Sequence, residues 1–177
     1  MAAKQEVKVY EYFKMSDFHF TGVFCTYIDA MWKQNTIPES MFTRLVDLYA
    51  VAAIVGLRIQ RRLPADTGEQ KRTVQLAQIT NNYHTLMPIM RLVLLLDESR
   101  GLNVEQRIDS AFRTPETQED YEKNMELFNS YARGGVEYLY QELVMREPGD
   151  EEDHENKKIS NMIALLRNPL SADGILP

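Results

Sequence analysis

Apolar residues along this chain recur mostly at the spacing of one helix face, and they rarely alternate as a strand would require. Phe20, Phe24, Tyr27 and Met31, widened by Val23, Ile28 and Trp32, predict an amphipathic helix that ends near Gln34 and is capped by Ser16 or Asp17. The opening VKVYEYF is rich in strand formers and reads as a short edge strand, an arm or a lead-in to that helix. Thr36, Pro38 and Glu39 have the pattern of a capping box with proline in the first turn. The helix they open carries Met41, Leu45, Leu48, Ala52, Val55 and Ile59 on one face and runs to Pro64. Its centre, Tyr49–Leu57, is apolar nearly all round, the mark of a helix covered on several sides. Gly56 weakens a helix interior by about 1 kcal/mol relative to alanine, so it predicts a bend or a second backbone close by.

Polar connectors bracket the short segment VQLAQI. Pro88 starts or kinks a helix that continues to Ser99 and stops at Gly101. Asn103 caps a shorter helix through Phe112, and Thr114-Pro115-Glu116 opens another that reaches Arg133. Gly134 and Gly135 predict a helix-to-helix corner, after which a helix continues to Met145. The pattern therefore predicts an all-α, bundle-like domain of about five to seven helices, with at most a short N-terminal strand or arm. Residues 1–146 form its core, 147–158 an acidic flexible loop, and 159–177 a C-terminal amphipathic helix and tail.

Composition narrows the picture. The chain has 177 residues, 44% hydrophobic and 26% charged, enough for one ordinary core. A net charge of -6 disfavours broad wrapping of DNA and attachment to anionic lipid, while leaving room for a local basic site. Neither a signal-peptide pattern nor an apolar run of spanning length is present, so a cytoplasmic protein is expected. The single cysteine, Cys25, excludes an intramolecular disulfide and reads as a buried structural thiol.

Catalytic and ligand motifs are absent. His19, His84 and His154 show no metal-binding spacing, and Glu151-x-x-His154 is half of a di-iron motif with no second copy. No nucleophile elbow or phosphate-binding glycine loop occurs, so no metal, cofactor or catalytic residue is expected. The remaining signal is basic: Arg58, Arg61 and Arg62 at i, i+3 and i+4, with Lys71 and Arg72 following. On a helix end they would complement its macrodipole, or they would form a patch that contacts phosphate or an acidic partner.

Two segments together resemble a known family. RLVDLYAVAAIVGLRIQRRLP supplies Asp47, Ala52, Ala53, Gly56, Arg61, Arg62 and Pro64. LFNSYARGGVEYLYQEL supplies Tyr131, Ala132, Gly134, Gly135 and Leu139. In order and separation they resemble small bacterial proteins associated with DNA-phosphorothioation (Dnd-type) anti-phage islands. The aromatic N-terminal region and the acidic loop with its following helix lie outside that pattern. The resemblance implies a non-enzymatic accessory protein of a phage-defence or DNA-modification system, acting through a protein partner, with no chemistry carried over residue by residue. The alternatives are a nucleic-acid-binding regulator using Arg58, Arg61 and Arg62, or an enzyme whose site would place His19 or His84 beside a carboxylate. A homo-oligomer fits either interaction reading.

Overall fold

The computed structural model describes residues 10–32, 40–149 and 156–167. The Thr36–Glu39 capping box, the Glu151/His154 pair and the chain end lie outside these residues. Within them the order is β1 (Phe18–Thr21), α1 (Val23–Met31), α2 (Leu45–Arg58), β2 (Lys71–Val74), α3 (Leu76–Asn81), α4 (Tyr83–Leu96), α5 (Val104–Phe112), α6 (Gln118–Tyr140), a π-helical turn (Gln141–Met145) and α7 (Lys157–Arg167). The fold is all-α, as the apolar periodicity predicts, and carries one small antiparallel ribbon between β1 and β2.

The ribbon corrects the N-terminal reading. Phe18 pairs with Val74 and Phe20 with Arg72, so the FHFT run alternates as a strand, with Phe20 fully buried, and the helix starts only after Gly22. Gly22 has φ of +59° and ends the strand. The expected cap Asp17 serves a different helix, and Asp66 takes its place at α1. The Asp66 carboxylate accepts the Val23 N–H that opens α1 at 2.7 Å, and Asp17 accepts the Leu76 N–H that opens α3 at 2.6 Å. Asp66 accepts the Gly68 N–H too, and these backbone donors hold its carboxyl below the usual range. Cys25 is fully buried, as expected, with its thiol against the Phe20 carbonyl and burial raising its pKa.

The centre of the molecule is the contact between α2 and α6. Gly56 serves close approach there: a Cβ on it would overlap the Tyr131 carbonyl, 2.8 Å from the carbonyl carbon. Gly135 faces Ala52 in the same way, where an added Cβ would lie 2.6 Å from the Ala52 carbonyl carbon. The predicted corner at Gly134-Gly135 is therefore overturned. Both glycines lie inside an unbroken 23-residue helix, where they remove bulk at a backbone crossing. Around this seam pack Tyr49, Phe128, Phe20 and Phe18 in stacked and edge-on pairs. The Tyr49 hydroxyl, deep in that cluster, donates to Asn129 at 2.6 Å.

α2 also stops earlier than predicted. Gln60 adopts φ of +54°, the Gln60 N–H returns to Leu57 O, and the Arg61 N–H returns to Gly56 O. That pair of bonds is a Schellman stop, built here on glutamine instead of glycine. The Gln60 side chain donates to Leu57 O at 2.8 Å, which helps hold the left-handed residue in place. Beyond it, the chain runs extended across α6: Leu63 N–H donates to Ser130 O, and Arg133 Nε donates to Leu63 O. Gly134 lies beneath this crossing, since a Cβ there would strike the Arg61 carbonyl.

Asn103 caps α5 as predicted, and Gln106 completes a capping box that bonds in both directions. α6 starts at the Thr117 cap, three residues beyond the expected Thr-Pro pair. At its far end the π turn leaves carbonyls that α7 satisfies. Asn161, fully buried, donates to Leu143 O and Arg146 O at 3.3 and 2.9 Å and accepts from Arg146 Nη1 at 2.9 Å. Asn161→Ala removes those donors. It is expected to cost about 2 kcal/mol, read as roughly thirtyfold faster hydrogen exchange confined to α7.

Candidate functional site

The early stop of α2 scatters the predicted arginine cluster. Only Arg58 stays on the helix, where it is exposed at the C-terminal turn. Arg61 turns to Glu137 on α6, and Arg72 on β2 forms a fork with Asp29 on α1. Lys71 is exposed at the end of the ribbon. Arg61, Arg62 and Arg72 are thus each directed at a different carboxylate, while Arg58 and Lys71 stay exposed, and the charge of the predicted patch is largely compensated within the chain.

Arg62 points elsewhere, to a polar centre that the sequence pattern did not single out. At its heart is Asp97, just past the end of α4 and fully buried. Tyr131 Oη donates to Asp97 Oδ1 at 2.7 Å, and Ser99 Oγ donates to the same oxygen at 2.8 Å. Arg100 Nε donates to Oδ2 at 3.2 Å, and Arg62 Nη1 stands 3.7 Å from Oδ1. The Arg62 guanidinium also lies over the Tyr131 ring, 5.8 Å from its centroid. Burial opposes the charge on Asp97. The two hydroxyls and two guanidiniums outweigh it, so the carboxyl sits below its usual range. Burial and the bond to this carboxylate push the Tyr131 phenol in the opposite direction, upward.

Through its two arginines the centre borders two open cavities. One, of about 720 Å³, is lined by Arg62, Leu63 and Pro64 and, from α6, by Glu122, Glu126 and Leu127. The other, of about 1040 Å³, runs between α5 and the start of α6 past Tyr12 and Asn124. Arg100 and Lys123 line both. These cavities have the size of small-molecule sites, with a mixed polar lining.

His19 lies on β1 and is bonded to Thr73 Oγ1 at 2.9 Å, while His84 is exposed on α4 beside Tyr83. Neither lines either cavity. Among the described residues no group of three His, Cys, Asp or Glu side chains is placed to hold a metal ion.

A second feature lies at the C-terminal end. α7 turns Ser160, Asn161 and Ala164 inward and leaves Ile159, Met162, Ile163 and Leu166 exposed, Leu166 at 83%. Those four residues stand at i, i+3, i+4 and i+7, one continuous apolar stripe facing outward. An isolated exposed leucine is ordinary, but a full helical stripe turned away from the core is not. The predicted amphipathicity of this segment is present, with its apolar stripe turned outward.

No protein-family model matches the chain, and neither a curated protein nor a solved structure does. No helix among the described residues is long and apolar enough to cross a membrane.

Proposed function

We propose that this protein is a non-enzymatic helical accessory protein that binds a protein partner, within a bacterial phage-defence or DNA-modification system. The outward apolar stripe of α7 carries the interaction part of the reading. A helix anchored by Asn161 on its polar side and apolar on its free side is arranged as a docking element. Lys157, Lys158 and Arg167 are its only ionisable residues, so the stripe has basic flanks within an acidic chain. That combination favours a partner with an apolar groove and an acidic rim.

The defence-system part rests on the resemblance in Arg44–Pro64 and Leu127–Leu143. In three dimensions those segments are one unit. Ala52 and Gly56 face Tyr131 and Gly135, and Arg62 approaches Tyr131 through Asp97. The shared residues are those that a tight helix pair and its polar anchor require, so the resemblance speaks to a common scaffold more than to a common ligand.

Purification of the tagged full chain from its native host tests the reading, with Met162→Glu/Leu166→Glu beside the wild type. Both positions are exposed, so stability is expected to stay within about 0.5 kcal/mol. A specific partner is expected with the wild type and at least tenfold depleted with the variant. Recovery of the same partner by both proteins would sink the assignment to α7. Steeply salt-dependent DNA binding lost with Arg61→Gln/Arg62→Gln would favour the nucleic-acid reading instead.

A further inference from the structure

The floor of the 720 Å³ cleft contains two guanidiniums of unequal engagement. Arg100 is turned inward, with Nε on Asp97 and Nη2 donating to Leu94 O at 2.7 Å. Its Nη1 has only long contacts, 3.4 Å, to Ser110 and Asn124. Arg62 differs. At 3.7 Å from Asp97 it is beyond hydrogen-bond length, and it donates to no acceptor among the described residues. Its side chain is 40% exposed, and it lines the cleft.

Arg62 is nevertheless held in place. Leu63, its neighbour, is bonded at both its N–H and its C=O to α6, through Ser130 O and Arg133 Nε. The Tyr131 ring lies beneath the guanidinium and the buried carboxylate attracts it from behind. An arginine positioned this way, with a free planar fork of donors, is preorganised for an oxyanion, because little side-chain entropy is left to lose.

Charge decides which oxyanion. Two guanidiniums flank one carboxylate, which leaves a single positive charge at the floor. Of the carboxylates on the cleft wall, Glu126 is paired with Arg133, while Glu122 takes a bond only from the neutral Gln118 amide at 2.6 Å and keeps its charge. They still repel a doubly charged group more than a singly charged one. Lys123 on the rim pairs with Glu119 at 2.6 Å and adds little net charge. Leu63, Pro64 and Leu127 supply an apolar wall beside the fork.

We infer that this cleft binds a carboxylate carried on a small apolar body, with Arg62 as the receiving fork and Asp97 as the residue that positions it. The site is independent of the α7 stripe and stands whether or not that stripe docks a partner.

The test is a titration of the full chain with sodium butyrate, followed on the arginine side-chain Nε–H resonances, with sodium chloride at equal ionic strength as the blank. A saturable shift of the Arg62 resonance is expected, absent at exposed Arg58. Arg62→Gln is expected to weaken butyrate binding at least tenfold, and Arg58→Gln to leave it unchanged. An Arg62 resonance that responds no more than that of Arg58 would overturn the site, a comparison made within the wild-type protein. Tighter binding of inorganic phosphate than of butyrate would overturn the choice of carboxylate.

Discussion

Gly135→Ala is expected to lower stability by about 3 kcal/mol, the upper end of the range for overpacking a core. Alanine is the better helix former by about 1 kcal/mol, so propensity alone would make the substitution stabilising. Geometry reverses the sign. The new methyl would overlap the Ala52 carbonyl, 2.6 Å from its carbon and 2.8 Å from its Cα. A backbone atom inside a helix cannot rotate aside as the end of a side chain can. Relief requires α2 and α6 to separate, and that movement loosens the packing of Ala53, Ala132, Tyr49 and Phe128 together. Gly56→Ala meets the Tyr131 carbonyl and is expected to behave similarly. The double variant should cost less than the sum, because one separation relieves both clashes. Gly149, where an added Cβ meets no atom within 4 Å among the described residues beyond its chain neighbours, is the control, and its alanine variant is expected within about 0.5 kcal/mol of wild type. Urea unfolding of the four variants measures all of this. A Gly135→Ala protein as stable as wild type would mean that the two backbones do not touch.

The same seam shows what the sequence could convey. A glycine in an otherwise apolar helix centre implies either a bend or a neighbour, and at Gly56 the neighbour is real. At Gly134-Gly135 the same reasoning favoured a corner, because paired glycines end helices more often than they line a crossing. Nothing local distinguishes the cases; the decision is made by α2 and by the Arg61–Pro64 segment, more than 70 residues earlier in the chain. Phe20, Phe24, Tyr27 and Met31 fit a helical period even though Phe20 belongs to a strand, since aromatic residues at that spacing satisfy both patterns for one turn. The partner strand that settles it, Lys71–Val74, is too short to declare itself.

The polar centre was hidden for a different reason. In the sequence Arg62 reads as a surface cation and Tyr131 as part of a motif, while Asp97 reads as an ordinary charged residue at a helix end. The available signal was Asp97-Glu98-Ser99-Arg100 at the end of an apolar run, which places a carboxylate, a hydroxyl and a guanidinium within four residues. The orientation of α7 was likewise unreadable. An apolar stripe does not by itself say whether it faces the core or a partner, and the bonds of Asn161 to the Leu143 and Arg146 carbonyls are what hold the polar side inward.

Asp97→Ala is expected to be the most damaging polar substitution in the chain, at about 3–5 kcal/mol near pH 7. The buried carboxylate accepts from Tyr131, Ser99 and Arg100, and removing it leaves the Tyr131 hydroxyl with only a long contact to Gln60 and the Arg100 charge with only its bonds to neutral groups such as Leu94 O. Asp97→Asn keeps the shape and one acceptor oxygen, so it should lose less, about 2–3 kcal/mol. Acid separates the charge from the shape. The folded-state pKa of Asp97 lies below its unfolded value, near 3.9. Its ionic contribution is therefore fully present above about pH 4 and is lost as the pH falls through the folded-state value. The stability gap between wild type and Asp97→Asn should accordingly be constant from about pH 7 to 5 and close progressively below about pH 4, while Asp66 and the other carboxylates act on both proteins alike. Denaturant unfolding across that range tests the assignment. A gap that persists unchanged to about pH 2 would mean that the anchor holds Arg62 and Arg100 by shape and hydrogen bonding, without the negative charge.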